Sequence, residues 1–187
     1  GDRKWAGGVP GPDGKIYCLP CQEYRIGVID PETDTLETFG DLNLGIGYSW
    51  KWFGGVFGPD DCIYAFPSNY RNKYVLKIDP VERTTQLIEH GISASGELFQ
   101  GSVFAPDGQL WGVTCFYDKL ASYSPDTGTV TIHGDVGSGD SKWFGGCLAP
   151  NGKLYFAPLE SGSILEVDPD AGSSVAIPID TALESGN

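Results

Sequence analysis

Methionine is absent from this 187-residue chain, and histidine occurs only twice. Basic residues are also scarce, because 12 lysines and arginines stand against 25 aspartates and glutamates, which gives a formal net charge of −13. Nucleic acids and anionic membrane surfaces are themselves negative, so this balance argues against binding to either. We therefore expect no nucleic acid and no membrane among the partners. A solvated acidic surface, a cationic partner and calcium all remain compatible with the charge.

Long apolar runs are missing as well. None approaches the ~20 residues that a membrane-spanning helix needs, and no segment has a helical hydrophobic period. Glycine is frequent, with 27 copies, and tyrosine and tryptophan are plentiful, which favours short strands and tight turns. Five cysteines cannot all pair within one chain, and no glycosylation sequon is present, so neither feature indicates a compartment. The chain begins at Gly1 without methionine, as a processed form or a segment of something longer does.

One phrase occurs four times along the chain. Its copies read KWAGGVPGPDGKIY, KWFGGVFGPDDCIY, LFQGSVFAPDGQLW and KWFGGCLAPNGKLY. Aligned on the aromatic residue, they fall at Trp5, Trp52, Phe99 and Trp143, with spacings of 47, 47 and 44 residues. A period of this length indicates a repeat architecture.

Each copy contains the same succession of short apolar runs and turns. A glycine-rich run leads to a Pro-Asp or Pro-Asn turn and a second run, and after a loop come a third run, another turn and a fourth run. Four alternating strands in each repeat are typical of a β-propeller blade. We predict an all-β, single-domain β-propeller over residues 1–187, with four blades of four antiparallel strands. The approximate blade boundaries are 1–47, 48–94, 95–138 and 139–187.

Two closures of the four blades are compatible with this pattern. A Gly-Gly or Gly-Ser pair in each first strand would relieve crowding around a central axis. The two ends of the chain, joined together, imitate an internal repeat junction. We favour a complete four-bladed ring. The alternative is a four-blade part of a larger propeller or repeat array.

The loops separate into two faces of the propeller. If the strands of a blade are called A to D, the A–B and C–D turns share one face, and the B–C and D–A loops share the other. The turns are short and stereotyped, and their aspartates are expected to bond nearby backbone N–H groups. The B–C and D–A loops vary between copies, so we expect specificity to reside on their face.

The stretch GPDGKIYCLPCQEYRIGVIDPETDTLETFG, residues 11–40, resembles repeats of the streptogramin-lyase, gluconolactonase and NHL propellers. It more closely resembles tandem KWxGGVxxPDGKIYxxP…IDP repeat β-propeller proteins of unknown function, and this likeness covers essentially the whole chain. The resemblance implies the propeller fold and is nearly silent on function. The lyase and lactonase members imply an enzyme with a loop-borne metal site, but their His, Glu, Asp or Asn set does not carry over to this sequence.

The repeated Lys-Trp pairs are the first candidate binding site. Indole rings and ammonium groups at the entry to the A strands could stack on sugars or hold an acidic ligand, and packing between blades is the alternative role. The copy with Leu98 and Phe99 keeps the bulk but loses both functional groups, which favours packing. The candidate residues are Lys4, Trp5, Trp50, Lys51, Trp52, Lys142 and Trp143.

Acidic residues of the D–A loops are a weaker candidate. As oxygen ligands on the variable-loop face they could hold Ca²⁺ or Na⁺ at the channel mouth, although scattered solvated carboxylates would look the same in sequence. These residues are Asp41, Glu97, Asp135 and Asp140. No other cofactor is expected.

Neither the histidines nor the cysteines form a diagnostic site. His90 and His133 end D strands, the outermost strands of their blades, and have no third ligand at a suitable spacing. Cys18 and Cys21 form a Cys-x-x-Cys pair without the second pair that zinc requires, so burial or a disulfide is expected instead.

Three functions are compatible with the sequence. The favoured one is a non-catalytic binding or structural module that presents its B–C and D–A loops to a protein or glycan partner, or to another copy of itself within a larger assembly. The second is a metal-dependent, lactonase-like or lyase-like enzyme. The third is a lectin that uses the Lys-Trp positions.

Overall fold

Sixteen strands form four separate antiparallel sheets in the computed structural model, which describes residues 3–45 and 50–179. Each sheet contains four strands in their order along the chain. The prediction of an all-β propeller with four four-stranded blades is therefore confirmed. The strands are β1 (Trp5–Pro10), β2 (Ile16–Pro20), β3 (Ile26–Asp30), β4 (Thr35–Phe39), β5 (Val56–Phe57), β6 (Ile63–Ala65), β7 (Tyr74–Asp79), β8 (Thr84–Glu89), β9 (Phe99–Phe104), β10 (Leu110–Thr114), β11 (Lys119–Ser124), β12 (Thr129–Asp135), β13 (Trp143–Leu148), β14 (Leu154–Pro158), β15 (Ser163–Asp168) and β16 (Ser173–Pro178).

In the described ranges, no helix has the length and apolar character needed to cross a membrane.

The turns form as the sequence predicts. In the A–B turns, the Oδ1 atoms of Asp13 and Asp107 accept hydrogen bonds from the backbone N–H two residues later, at 3.2 and 3.0 Å. In the C–D turns, Asp79 Oδ1 accepts from the N–H groups of Val81 and Glu82, both at 2.9 Å. These bonds close each turn locally, which leaves the strands free to pair in register.

The hydrophobic core is divided into three clusters, and each lies between consecutive blades. The first joins blades one and two through residues such as Leu19 and Trp52. The second joins blades two and three through Tyr64 and Phe99, and the third joins blades three and four. A closed ring of four blades requires four such interfaces. Within residues 3–45 and 50–179, no core cluster joins blade four to blade one.

Glycines at the centre show the same open arrangement. Each blade has a glycine with positive φ in its first Gly-Gly or Gly-Ser pair, and a Cβ built on Gly7 would lie only 2.8 Å from the Cα of Gly54. A Cβ on Gly101 would lie 3.6 Å from the Cα of Gly145, whereas a Cβ on Gly145 would meet no atom within 4 Å. The blades therefore form an arc, which favours the alternative of a part of a larger propeller or array over a ring closed by these four blades.

Candidate functional site

The predicted tryptophans at the start of the A strands mainly have a structural role. The indole N–H of Trp52 donates to the carbonyl oxygen of Tyr74 at 3.0 Å, and that of Trp143 donates to Ser163 O at 2.8 Å. Trp5 makes the same bond to Arg25 O at 2.8 Å. Trp52 and Trp143 are 0% and 2% exposed, so their rings are covered by the protein itself and offer no free face to a sugar. Trp5 is partly exposed and stays a candidate for binding.

Two of the three predicted lysines are buried as well. The Nζ atom of Lys51 donates to the carbonyl oxygen of Cys21 at 3.2 Å, and Lys142 Nζ donates to Phe116 O at 3.3 Å. Both carbonyls belong to the preceding blade, so each ammonium group joins two blades. Desolvation lowers the pKa of both lysines. Lys4, in contrast, is exposed and lies 5.8 Å from the centre of the Trp5 ring.

A different set of side chains converges near the central axis. Trp50 stacks on Phe53 with ring centres 5.5 Å apart and ring planes 13° apart. The ring of Phe53 meets that of Phe144 edge to face at 5.2 Å, and the Arg3 guanidinium lies 4.9 Å from the Trp50 ring centre. We call these four residues the axial aromatic cluster. It joins blades one, two and four, and of its members only Trp50 is among the binding residues predicted from the sequence.

Trp50 lines two cavities beside this cluster. The larger, of about 330 Å³, is also lined by Arg3, Trp5 and Phe53. The smaller, of about 170 Å³, is bordered by Glu97 and other residues of the third and fourth blades. The cluster therefore lies between two recesses that could admit side chains of a partner.

Phe53 and Phe144 occupy equivalent positions, directly after the aromatic residue of the A strand. The other two blades have Ala6 and Gln100 there. Successive side chains of a strand point in opposite directions, so a residue next to a packed tryptophan points away from the packing. That alternation was the sequence signal that could have identified the two phenylalanines.

The four predicted acidic ligands do not form a common site. Asp41 and Asp135 each accept a bond from the backbone N–H two residues later, and Glu97 accepts from the side chain of Gln100. Asp140 borders two of the surface cavities. In the part of the chain that the structure describes, no group of three or more His, Cys, Asp or Glu residues is placed to hold a metal ion. The Ca²⁺ or Na⁺ site stays a prediction.

Both histidines have internal partners. His90 contacts Asn72 O through Nε2 at 2.9 Å and accepts a bond from the Ile92 N–H through Nδ1 at 2.9 Å. His133 contacts the Ser122 hydroxyl at 2.8 Å and stacks on Trp111. Neither lines the cavities beside the axial aromatic cluster.

The cysteines are unpaired thiols throughout the described residues. Burial raises the pKa of Cys115 to about 11, and it also raises the pKa of Cys18 and Cys21. These thiols are therefore poor nucleophiles near neutral pH, because the thiolate is the reactive form. Within the described residues, Cys18 and Cys21 form neither a disulfide nor part of a metal-ligand group.

The blades and their central cluster define a β-propeller repeat protein. The chain belongs to the DUF6923 family, a repeat of unknown function, whose match covers residues 13–185. No curated protein matches the chain.

Solved structures share the fold at low sequence identity. Virginiamycin B lyase from Staphylococcus aureus superposes with a TM-score of 0.75 at 16% identity, over 93% of this chain and 55% of the lyase chain. A streptogramin B lyase gives 0.77 at 16% identity, over 95% and 55%. A chain of the nidogen–laminin complex gives 0.64 at 16% identity, over 88% and 59%. This protein therefore spans about half the length of the lyases that it resembles, and the likeness shows the fold alone.

Proposed function

We propose that this chain is a non-catalytic binding module and that its axial aromatic cluster is the contact surface for a protein partner. The observation that carries the proposal is the convergence of Arg3, Trp50, Phe53 and Phe144 at the axis, where Phe144 stays 41% exposed. Arginine and aromatic side chains supply most of the binding free energy at many protein interfaces. A cluster of this kind between two recesses suits an inserted apolar side chain.

A protein partner fits this cluster better than a glycan. Lectin sites of the predicted kind need an open, flat aromatic face for a sugar ring. Trp50 already stacks on Phe53 and lies against the Arg3 guanidinium, which leaves less of the indole surface free. Trp52 and Trp143 are buried, so the ring of indoles expected in a lectin is not available.

The charge of the molecule favours a basic partner. Glu97 borders the smaller cavity, and Asp118 and Asp140 border the neighbouring cavity of about 320 Å³. The net charge of the whole chain is −13. Complementary charge speeds encounter and selects partners more than it adds affinity. The proposed ligand is therefore a protein segment with an apolar side chain flanked by lysine or arginine.

An enzymatic role has weaker support. Metal-dependent chemistry needs a ligand cluster, and the described residues hold none. Both histidines are occupied by internal partners. Metal-dependent turnover of a lactone or streptogramin would support the lyase or lactonase alternative instead.

The test uses a displayed peptide library selected on the whole chain. We expect enrichment of peptides that combine an aromatic or aliphatic residue with basic neighbours. Trp50→Ala should weaken their binding by at least about tenfold, as expected for an interface hot spot. The matched control is Tyr70→Ala, because Tyr70 is also a partly exposed aromatic with an arginine beside it, Arg71 at 5.5 Å, and it lies outside the cluster.

Three results would overturn the proposal. The first is equal binding of the selected peptides to the native chain and to Trp50→Ala, with both folded by circular dichroism. The second is glycan-array binding that Trp50→Ala abolishes while no peptide is enriched. The third is turnover of lactones or streptogramins that depends on a divalent metal.

A further inference from the structure

Each blade has two faces that serve different neighbours. The forward face packs against the next blade along the chain, and the rear face packs against the preceding one. Tyr17 of blade one illustrates the forward side, because its hydroxyl reaches Pro80 O of blade two at 3.0 Å. Gly55 of blade two illustrates the rear side, because a Cβ there would lie 3.2 Å from the Leu19 side chain of blade one.

Within residues 3–45 and 50–179, no core cluster covers the forward face of blade four. Tyr17, Tyr64 and Trp111 occupy one forward-facing position in the first three blades, and all are at most 1% exposed. The equivalent Tyr155 is partly exposed. On the outermost strand of the same face, Val175 and Ile177 are 61% and 38% exposed. The forward face of blade four includes Cys147, Tyr155, Ala157, Ile164, Val175 and Ile177. It also includes Glu166, whose carboxylate accepts a bond from the Tyr155 hydroxyl at 2.7 Å.

The rear face of blade one is likewise outside every core cluster of the described part of the chain. Ile63, Leu110 and Leu154 occupy one rear-facing position in blades two to four, and all are 0% exposed. Their equivalent, Ile16, is partly exposed, and Leu36 on the outermost strand is 53% exposed. The rear face of blade one consists of Trp5, Ile16, Cys18, Ile29 and Leu36.

We propose that the forward face of blade four binds the rear face of blade one in a second copy of this chain, and that two copies close head to tail into an eight-bladed ring. All three interfaces within the chain join a forward face to a rear face, so the unpartnered pair continues an interface type that the molecule already uses three times. A two-fold ring satisfies both open faces of both copies at once. This inference does not depend on the proposed protein-binding function.

The repeat also predicts particular contacts across the new interface. The Lys51 backbone N–H and Nζ both donate to Cys21 O of the preceding blade, at 3.1 and 3.2 Å. Lys4 is the equivalent of Lys51, and Leu159 is the equivalent of Cys21. In the dimer, the exposed Lys4 of one copy would donate to the carbonyl oxygen of Leu159 in the other. Lys4 begins the same repeated phrase as Lys51 but is exposed in a single chain. The proposed contact would give Lys4 the acceptor that Lys51 already has.

The test is the oligomeric state of the chain by sedimentation velocity. We expect a monomer–dimer equilibrium, with a dissociation constant raised at least about tenfold by one charge on either face, through Ile177→Glu or Leu36→Glu. Val81→Glu is the matched control, because Val81 is 71% exposed in a C–D turn and lies on neither face. It adds the same charge and should leave the constant unchanged.

Mixing the two variants distinguishes the head-to-tail ring from a dimer in which a face binds the same face of the other copy. A dimer of one Ile177→Glu chain and one Leu36→Glu chain retains one unaltered interface, so the mixture should associate more strongly than either variant alone. A chain that stays monomeric up to about 100 μM, where even weak specific contacts form, would overturn the proposal. So would dimers weakened by only one of the variants or by neither, and so would oligomers that grow beyond two copies.

Discussion

At the scale of single residues, His90 is held neutral by contacts on both sides of its ring. Nδ1 accepts a bond from the Ile92 N–H, so Nε2 carries the proton and donates it to Asn72 O. Desolvation lowers the pKa of His90, although the Asn72 carbonyl and the Glu89 carboxylate act in the opposite direction. A second ring proton would be placed against the Ile92 N–H. The folded state therefore stabilises the neutral imidazole of His90 relative to the charged imidazolium.

This preference predicts a loss of stability on acidification. The unfolded chain takes up a proton on His90 near the ordinary pKa of about 6.5, and the folded chain does so only at lower pH. Below about pH 6.5 the unfolded state therefore binds more protons, and the free energy of unfolding falls by up to about 1.4 kcal/mol per pH unit for this one group. Urea unfolding between pH 7 and pH 5.5 should show a smaller fall for His90→Gln than for the native chain.

The control for this measurement is His133→Gln. It removes the other histidine, whose pKa is also lowered by burial, and leaves the contribution of His90 in place. The same pH dependence in His90→Gln and in the native chain would show that the ring accepts its second proton without cost in the folded state.

At the scale of elements, the A–B turn is joined to the two strands that follow it. In blade two, Asp60 accepts a bond from the Tyr64 hydroxyl at 2.7 Å and pairs with Lys77 at 2.8 Å. Burial is the largest cause that raises the pKa of Tyr64, and Asp60 adds to the rise. Blade two thus uses one carboxylate to join the turn, strand B and strand C. Blade three cannot do this, because Trp111 replaces the tyrosine.

Removing this carboxylate should therefore cost more in blade two than in blade three. Asp60→Ala removes the carboxylate that accepts from the buried Tyr64 hydroxyl and pairs with the Lys77 ammonium, a loss of about 2–3 kcal/mol. Asp107→Ala, at the equivalent turn position, removes bonds to Gln109 alone and should cost about 1 kcal/mol or less. Equilibrium urea unfolding measures both. Equal losses would mean that the tyrosine and lysine contacts add nothing to the turn itself.

The repeat made the strands and turns predictable from the sequence. The angle between neighbouring blades was not predictable. Four copies of one phrase place every strand and turn, because strand alternation and turn chemistry are local properties. The contact between Phe53 and Phe144 joins the second blade to the fourth. It depends on the angle between blades, which no local pattern encodes. The burial of Lys51 could not be predicted for the same reason, since its acceptor lies 30 residues earlier in another blade.

At the scale of the whole molecule, an open arc gives the blades unequal support. Among the described residues, blades two and three each share a core cluster with two neighbours, whereas blades one and four each share a core cluster with one. In repeat proteins, stability is approximately the sum of the stability of each unit and its interfaces with its neighbours. The end blades of a single chain should therefore open more often than the inner ones, and a head-to-tail partner should remove the difference.

Hydrogen exchange measured blade by blade tests this expectation. In dilute solution, amides of β6, β7, β10 and β11 should exchange more slowly than those of β2, β3, β14 and β15. Raising the protein concentration should slow exchange in the two end blades and leave the inner blades almost unchanged, because association adds an interface only to the ends. Ile177→Glu should abolish this dependence on concentration. Equal protection of all four blades in dilute solution would instead require a fourth interface between blades four and one of the same chain, and the arc would then be a ring.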